Sequence, residues 1–489
     1  MIIGYAHLCA ADVEAWQAGA TTWRRLAEQV EDRVAEFDAT AAGLRLDWRG
    51  TAADAASVAI ADLRELTAAC RGPIEQTGRL LAEHTDRVAA ARRALLAART
   101  PAEAALAVHA ARQSDERTAV ALAELTASMS APCPPAAGPV AVREWWRGLS
   151  KTQREVLLLQ SPERIGGLDG VPVADRDRAN REVLRRERDR LSALFESLAD
   201  DRHAARERDR VERALAGLAT LADRLARPGA YLLGLDTAGD GRAIVALGDP
   251  DHSDNVLTYV PGMGVRLDGH LGTSLDRTAA MAEAAAAADP AKSTSAVLWL
   301  GYDAPDNLLE GASSGAAHDA RTALHDFQEG LAATHVGDLG EQSVVGHSYG
   351  ALVVGETVRD LGLRADDLVF LGAPGVGVEH AADLHVDPAT VWAASANNDI
   401  VGLAAPSLRQ LWLEQLWPRY MGDPMPDLWH GHNPADDGFG GHVFEAADNA
   451  NPISAHLAYW DRGNPALTNV GRIAAGQESG VSSPPAPES

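Results

Sequence analysis

The pentapeptide Gly346-His347-Ser348-Tyr349-Gly350 constrains this chain more than any other feature. It sits between a short β-type run, Ser343 to Val345, and a helix-forming stretch, Ala351 to Leu361. Strand, tight turn and helix in that order make a nucleophile elbow, the turn that lifts a serine hydroxyl above a parallel sheet. The flanking glycines have a steric job. The turn crowds neighbouring backbone and pushes the serine towards strained φ/ψ values that a nearby Cβ would obstruct. A bare G-x-S-x-G string recurs by chance, and a plain strand-to-helix turn is the competing reading; the strand before and the helix after supply the context that favours the elbow.

A serine is a poor nucleophile alone and needs a histidine base oriented by a carboxylate, in the chain order serine, acid, histidine. Val391 to Ala396 reads as a buried strand, and Asn397-Asn398-Asp399 follows at its carboxyl end, where an α/β sheet presents its chemistry. Asp399 is therefore the expected acid, against the simpler reading of a turn aspartate that caps the next helix. Asp366, Asp367, Asp383 and Asp387 are weaker, because they precede a strand or lie in a connection. His456 follows the strand-like run Gly441 to Glu445 and opens the helical segment His456 to Trp460, which makes it the expected base, with His442 as runner-up. Two backbone N–H groups should form an oxyanion hole. Tyr349, after the serine, offers one. Met263 offers the other, with Gly262 as alternative, in the loop Pro261-Gly262-Met263-Gly264 that ends the buried run Val256 to Val260.

Between Val401 and Gly441 lies a long excursion that begins with an apolar, aromatic run containing Trp412 and Trp417. An ordinary packed helix explains it as well as a cover whose apolar face lines an acyl groove, in which Trp412 and Trp417 would touch substrate.

The chain has 489 residues and is 46% hydrophobic, too long for one ordinary domain and able to bury a substantial core. Its net charge of −25 repels phosphate backbones, which argues against nucleic acid as a partner. Cys9, Cys70 and Cys133 are far apart and odd in number, and form neither a zinc cluster nor a disulfide framework. No cofactor or metal is expected. No run reaches the roughly 20 apolar residues that span a bilayer, and the first residues lack the positive leader of a secretion signal.

The two halves differ in texture. In residues 1–130, Trp16, Trp23, Val30 and Phe37 recur every seven residues, with Val13, Ala20, Ala27 and Val34 as a second seam. That is the pattern of a helix packed on another helix, with the aromatics in its core. Trp48-Arg49-Gly50 interrupts it. A second helical run follows from Ala52, broken or kinked at Gly72-Pro73, to about Arg99, and a third spans Pro101 to Met129. The seam must be buried, within the chain, by a second copy in a homodimer, or by a small helical partner. Residues 131–140 read as a Pro-rich linker and 141–230 as a helical segment whose charge run is a solvated face. Residues 231–475 alternate short apolar strands with Ala-rich helices, which predicts a mostly parallel sheet covered on both faces. A disordered tail is expected over 476–489.

Trp145 to Ser150, Ser161 to Pro172, Arg176-Asp177-Arg178-Ala179-Asn180-Arg181, Val260 to Gly264, Gly301-Tyr302-Asp303-Ala304-Pro305, the serine pentapeptide and Leu371 to Gly375 together resemble an actinobacterial α/β-hydrolase family long catalogued as a domain of unknown function. The likeness covers roughly residues 141–475. More loosely, residues 10–100 resemble the WXG-type hairpins associated with type VII secretion. These resemblances imply an α/β-hydrolase with Ser348, Asp399 and His456 in a triad. They also imply a protein that is cytoplasmic or exported by type VII secretion. Two functions follow: a serine esterase or lipase-like enzyme acting on an acyl ester or lipid, or a weakly active or inactive hydrolase fold serving as a binding or secretion-associated module.

Overall fold

The computed structural model describes residues 4–47, 51–129, 133–198, 205–268, 270–401, 430–436 and 438–484. It divides into two compact units, Met1–Cys133 with Gly148–Gln160, and Pro134–Arg147 with Ser161–Ser489.

The first unit is helical: α1 (Tyr5–Cys9), α2 (Val13–Asp47), α3 (Thr51–Ala97) and α4 (Pro101–Met129). The seven-residue repeat correctly marks α2 as a packed helix, yet the aromatics are not its core. Ala20 and Ala27 are buried, whereas Trp16 and Trp23 keep 40% and 37% of their surface exposed. Small residues let the helix axes close in, so that a Cβ added at Gly78 of α3 would stand 3.2 Å from the Cβ of Trp23. The large rings are left at the flank, with Trp16 stacked on His84 at 5.9 Å. α3 is also unbroken through Pro73. Both α2 and α4 pack on it, and tertiary packing of this kind outweighs a local propensity penalty. Trp48-Arg49-Gly50 lies outside the described residues.

The remaining helices before the sheet are α5 (Pro139–Gly148), α6 (Lys151–Gln160), α7 (Pro162–Gly166), α8 (Val173–Ser197) and α9 (Ala205–Leu225). Of these, Lys151–Gln160 groups with the first unit and the rest of the segment after Ser161 with the second.

The second unit is built on one sheet: β1 (Ala230–Asp236), β2 (Arg242–Leu247), β3 (Asn255–Val260), β4 (Thr294–Leu300), β5 (Gln342–His347), β6 (Asp367–Leu371), β7 (Val391–Ala394) and β8 (His442–Val443). The strands lie in the order β1-β2-β4-β3-β5-β6-β7-β8. β2 pairs antiparallel with β1 and with β4, and every later pairing is parallel. α10 (Leu271–Ala288), α11 (Leu308–Gly311), α12 (Gly315–Thr334) and α13 (Tyr349–Leu361) make the crossovers. Because helices cover the parallel strands, β3, β5, β6 and β7 are buried at every position, their few polar residues included.

β1 closes one end of the sheet and would otherwise present unpaired backbone groups. α8 supplies partners. Asp177 accepts from the Leu232 amide at 2.7 Å and Asn180 donates to the Leu232 carbonyl at 3.0 Å. Arg181 donates to the Ala230 carbonyl and Arg176 to that of Leu233. The Arg176 to Arg181 motif is thus a polar strap along the edge strand. At the other terminus, the expected disordered tail is held as far as Ser482, whose carbonyl accepts from Glu445 and whose amide donates to Asn469.

Candidate functional site

At the carboxyl end of β5 the chain turns abruptly into α13, and Ser348 occupies the turn at φ 54°, ψ −127°. That left-handed backbone is costly for a residue with a Cβ. Crowding explains the glycines: a Cβ at Gly350 would meet the Val260 carbonyl oxygen at 2.2 Å, and one at Gly346 would meet the Ala351 Cα at 2.6 Å.

Asp399 follows β7 and is fully buried. Its Oδ1 and Oδ2 lie 2.9 and 3.0 Å from His456 Nδ1. The Val401 amide donates to Oδ1 at 2.8 Å and the Tyr459 hydroxyl to Oδ2 at 2.6 Å. Burial alone would raise this carboxyl, but the hydrogen bonds from His456, Tyr459 and Val401 outweigh it and hold Asp399 below the ordinary carboxylate range. His456 stands in the last turn of the short helix Pro452–Leu457, so it closes a helix where the sequence suggested that it opens one. The reason is the Asn451 side chain, which caps the Ser454 amide and starts the helix before the histidine.

Leu371 and Gly372 gather these groups. The Ser348 amide donates to the Leu371 carbonyl at 3.0 Å. One residue on, Gly372 has φ 52°, and a Cβ there would stand 2.8 Å from Asp399 Oδ2 and 3.0 Å from His456 Nδ1. No hydrogen bond joins Ser348 Oγ to His456 among the described residues. Catalytic bonds of this kind are often long before substrate binds.

The loop after β3 lies against the serine. A Cβ at Gly262 would be 2.6 Å from Ser348 Cβ and 3.2 Å from its Oγ. The next residue, Met263, and Tyr349 both present amides without a protein acceptor among the described residues. Tyr302 holds this loop: its hydroxyl donates to the Pro261 carbonyl at 2.6 Å, and its ring stacks between Trp299 and Tyr349. The Gly264 amide adds a bond to the Pro305 carbonyl at 2.8 Å.

His347, the residue before the serine, went unnoticed in the sequence. Its ring is 4.7 Å from that of His456 and its Nε2 donates to the His456 carbonyl at 3.0 Å. Burial, reinforced by the nearby His456 and Arg277, depresses its pKa well below the ordinary histidine value, so His347 is a neutral donor. His430, one of the loop histidines that the sequence set behind His456, also lies against the elbow. It is buried, bonds the Gly311 carbonyl through Nε2, and meets the Tyr349 ring edge-on at 5.8 Å. His442, the runner-up base, is exposed on β8 and stacks on Trp392. Trp392 in turn donates to Asp367 at the first residue of β6. Trp412 and Trp417 lie outside the described residues.

At the amino ends of the strands, Glu341, Asp367 and Glu478 form the one trio among the described residues whose ligand atoms are close enough to share a metal ion. Burial and the neighbouring carboxylates push Glu341 up to about 8.

A mostly parallel eight-stranded sheet, a serine on a strained elbow, and a histidine bonded to a buried aspartate define an α/β-hydrolase. Residues 236–409 match a family model described as alpha/beta hydrolase, a span that contains Ser348 and Asp399. The chain is 34% identical to the uncharacterized protein Mb0988c of Mycobacterium bovis over 204 residues, 39% of this chain and 76% of that protein. It is 32% identical to the uncharacterized protein Rv2079 of Mycobacterium tuberculosis over 380 residues, 72% of this chain and 57% of that protein. The chain belongs to the α/β-hydrolase family. It spans little more than half the length of the longer mycobacterial relative. No helix among the described residues is long and apolar enough to cross a membrane.

Proposed function

We propose that this α/β-hydrolase is a serine ester hydrolase of esterase or lipase-like type, with Ser348 as nucleophile, His456 as base and Asp399 as the group that orients it. The observation that carries this reading is the buried Asp399 to His456 hydrogen bond, set beside a serine on a strained elbow. His456 takes the Ser348 hydroxyl proton as Oγ attacks the ester carbonyl carbon. The carbonyl oxygen becomes an oxyanion, which we assign to the Tyr349 and Met263 amides. Collapse expels the alkoxide, which His456 protonates, and leaves an acyl-serine. Water, deprotonated by His456, then attacks the acyl-serine and returns the free acid and Ser348. Trp412 and Trp417 are assigned to the acyl group from the apolar character of their segment alone. We assign the helical N-terminal unit to self-association or docking of a helical partner, apart from the chemistry.

A second reading, a binding module with weak or no catalysis, draws on the lack of a bond between Ser348 Oγ and His456. Hydrolysis of p-nitrophenyl esters of graded acyl length separates the two. Turnover by the wild type that Ser348→Ala abolishes supports the enzyme. Equal slow hydrolysis by both supports the module. If Trp412 and Trp417 line an acyl groove, Trp412→Ala lowers kcat/KM for long esters more than for acetate.

A further inference from the structure

Resting on the proposed triad, we infer that Tyr459 is a positioning residue of the reaction, locking the Asp399 carboxylate in the orientation that receives the His456 Nδ1 proton. Three observations carry this. First, the direction of the Tyr459 hydroxyl is fixed. It accepts from the Ala396 amide at 3.1 Å, so its own proton points to Asp399 Oδ2, 2.6 Å away. Second, the carboxylate is pinned on both sides. Oδ1 receives the Val401 amide while Oδ2 receives Tyr459, so rotation about the Cβ–Cγ bond would break two charge-assisted bonds at once. Third, Tyr459 follows His456 by three residues, so one short segment delivers both the base and the clamp on its partner. The Tyr459 hydroxyl thereby ties this segment to the chain leaving β7, through Ala396 and Asp399. A packing role alone would need only the ring, which is buried against His347 and Trp460; the hydroxyl bonds are additional.

Around the His456 to Asp399 pair, the other titratable groups among the described residues are Tyr459 and His347, with Arg277 stacked on the far partner Trp460. Tyr459 stays protonated, because burial and the adjacent Asp399 charge raise it far above the ordinary phenol value. Its loss concentrates charge on the carboxylate, which then stabilises the His456 imidazolium more strongly.

The test is Tyr459→Phe in the full chain, which keeps the ring and removes one oxygen. The expected result is a fall in kcat of about tenfold to a hundredfold, with KM nearly unchanged. The acid limb of the pH profile, and the His456 titration followed by NMR of histidine-labelled protein, should both move to higher pH. Wild-type kcat together with an unmoved His456 titration overturns the inference. If the wild type hydrolyses no ester, the proposed function fails, while the titration in the two chains still decides the role of Tyr459. Should Tyr459→Phe not fold, the wild type alone decides: a Tyr459 hydroxyl proton protected from solvent exchange supports the inference, and a freely exchanging one overturns it.

Discussion

The serine elbow makes a stability prediction that no activity assay can blur. At φ 54° and ψ −127°, Ser348 occupies backbone territory in which only glycine is at ease. Such a residue costs about 1–3 kcal/mol. Ser348→Gly removes that strain, but glycine also raises the entropy of the unfolded chain by about 0.5–1 kcal/mol. Ser348→Ala keeps the Cβ and therefore the strain. Both variants lose the hydroxyl equally, and both are expected to be inactive. The difference between them isolates the backbone term, and the Gly variant should be the more stable by about 1 kcal/mol. For a domain of this size that is about 2 °C in Tm, measured by calorimetry on the transition of the second unit. An Ala variant as stable as the Gly variant, or more so, would refute the claim that the elbow stores strain.

Three further outcomes follow from named contacts. Asn180→Ala should destabilise the second unit by about 1–3 kcal/mol in urea titrations, because the Leu232 carbonyl loses its Asn180 donor and the Gly166 carbonyl is left with the weaker bond from Arg176 Nε. Gly262→Ala should lower kcat/KM about 10²-fold while leaving the fold intact, since the new Cβ would press on Ser348 Cβ and on the His347 carbonyl at 2.7 Å; unchanged rates would show that the loop is not set against the nucleophile. His347 is neutral in the fold, with a depressed pKa, whereas in the unfolded chain it takes up a proton below pH of about 6.5. The unfolded state therefore binds more protons, and stability falls as pH drops through that value, by at most about 1.4 kcal/mol per pH unit. His347→Gln should flatten the slope between pH 7 and pH 5, and an unaltered slope would contradict the assignment.

Much of the second unit was legible because its strands are short apolar runs bounded by turns. The runs Val256 to Val260, Ser343 to Val345, Val391 to Ala396 and Gly441 to Glu445 fall on β3, β5, β7 and β8, within a few residues. Glycines at the elbow were readable for the same reason, since a crowded turn leaves no other choice. The pairing of Asp399 with His456 followed from chain order and strand position, and the two are in fact hydrogen bonded. Polar partners across long separations were not legible. Tyr459 on Asp399, His347 on the His456 carbonyl and Tyr302 on the Pro261 carbonyl depend on where crossovers bring side chains, and periodicity carries no record of that. Even so, Tyr459 stands three residues beyond the expected base, just past the end of its helix, and His347 is one of the two variable positions of the serine motif. The first unit misled in a different way. A seven-residue repeat identifies a packed face without saying whether the large or the small residues sit at its centre, and here Ala20 and Ala27 do.

The central claim is that Ser348 is a nucleophile activated by His456 and Asp399. A fluorophosphonate tests it directly, because the reagent phosphonylates only a serine that a base has made reactive. The full chain, treated with the probe and digested, should carry a single adduct on the peptide containing Ser348 by mass spectrometry. The adduct should vanish in Ser348→Ala, be nearly lost in His456→Ala, and form more slowly in Asp399→Asn, by up to about 10⁴-fold. An unmodified Ser348 peptide in the wild type, or a His456→Ala chain that labels as fast as the wild type, would contradict the account.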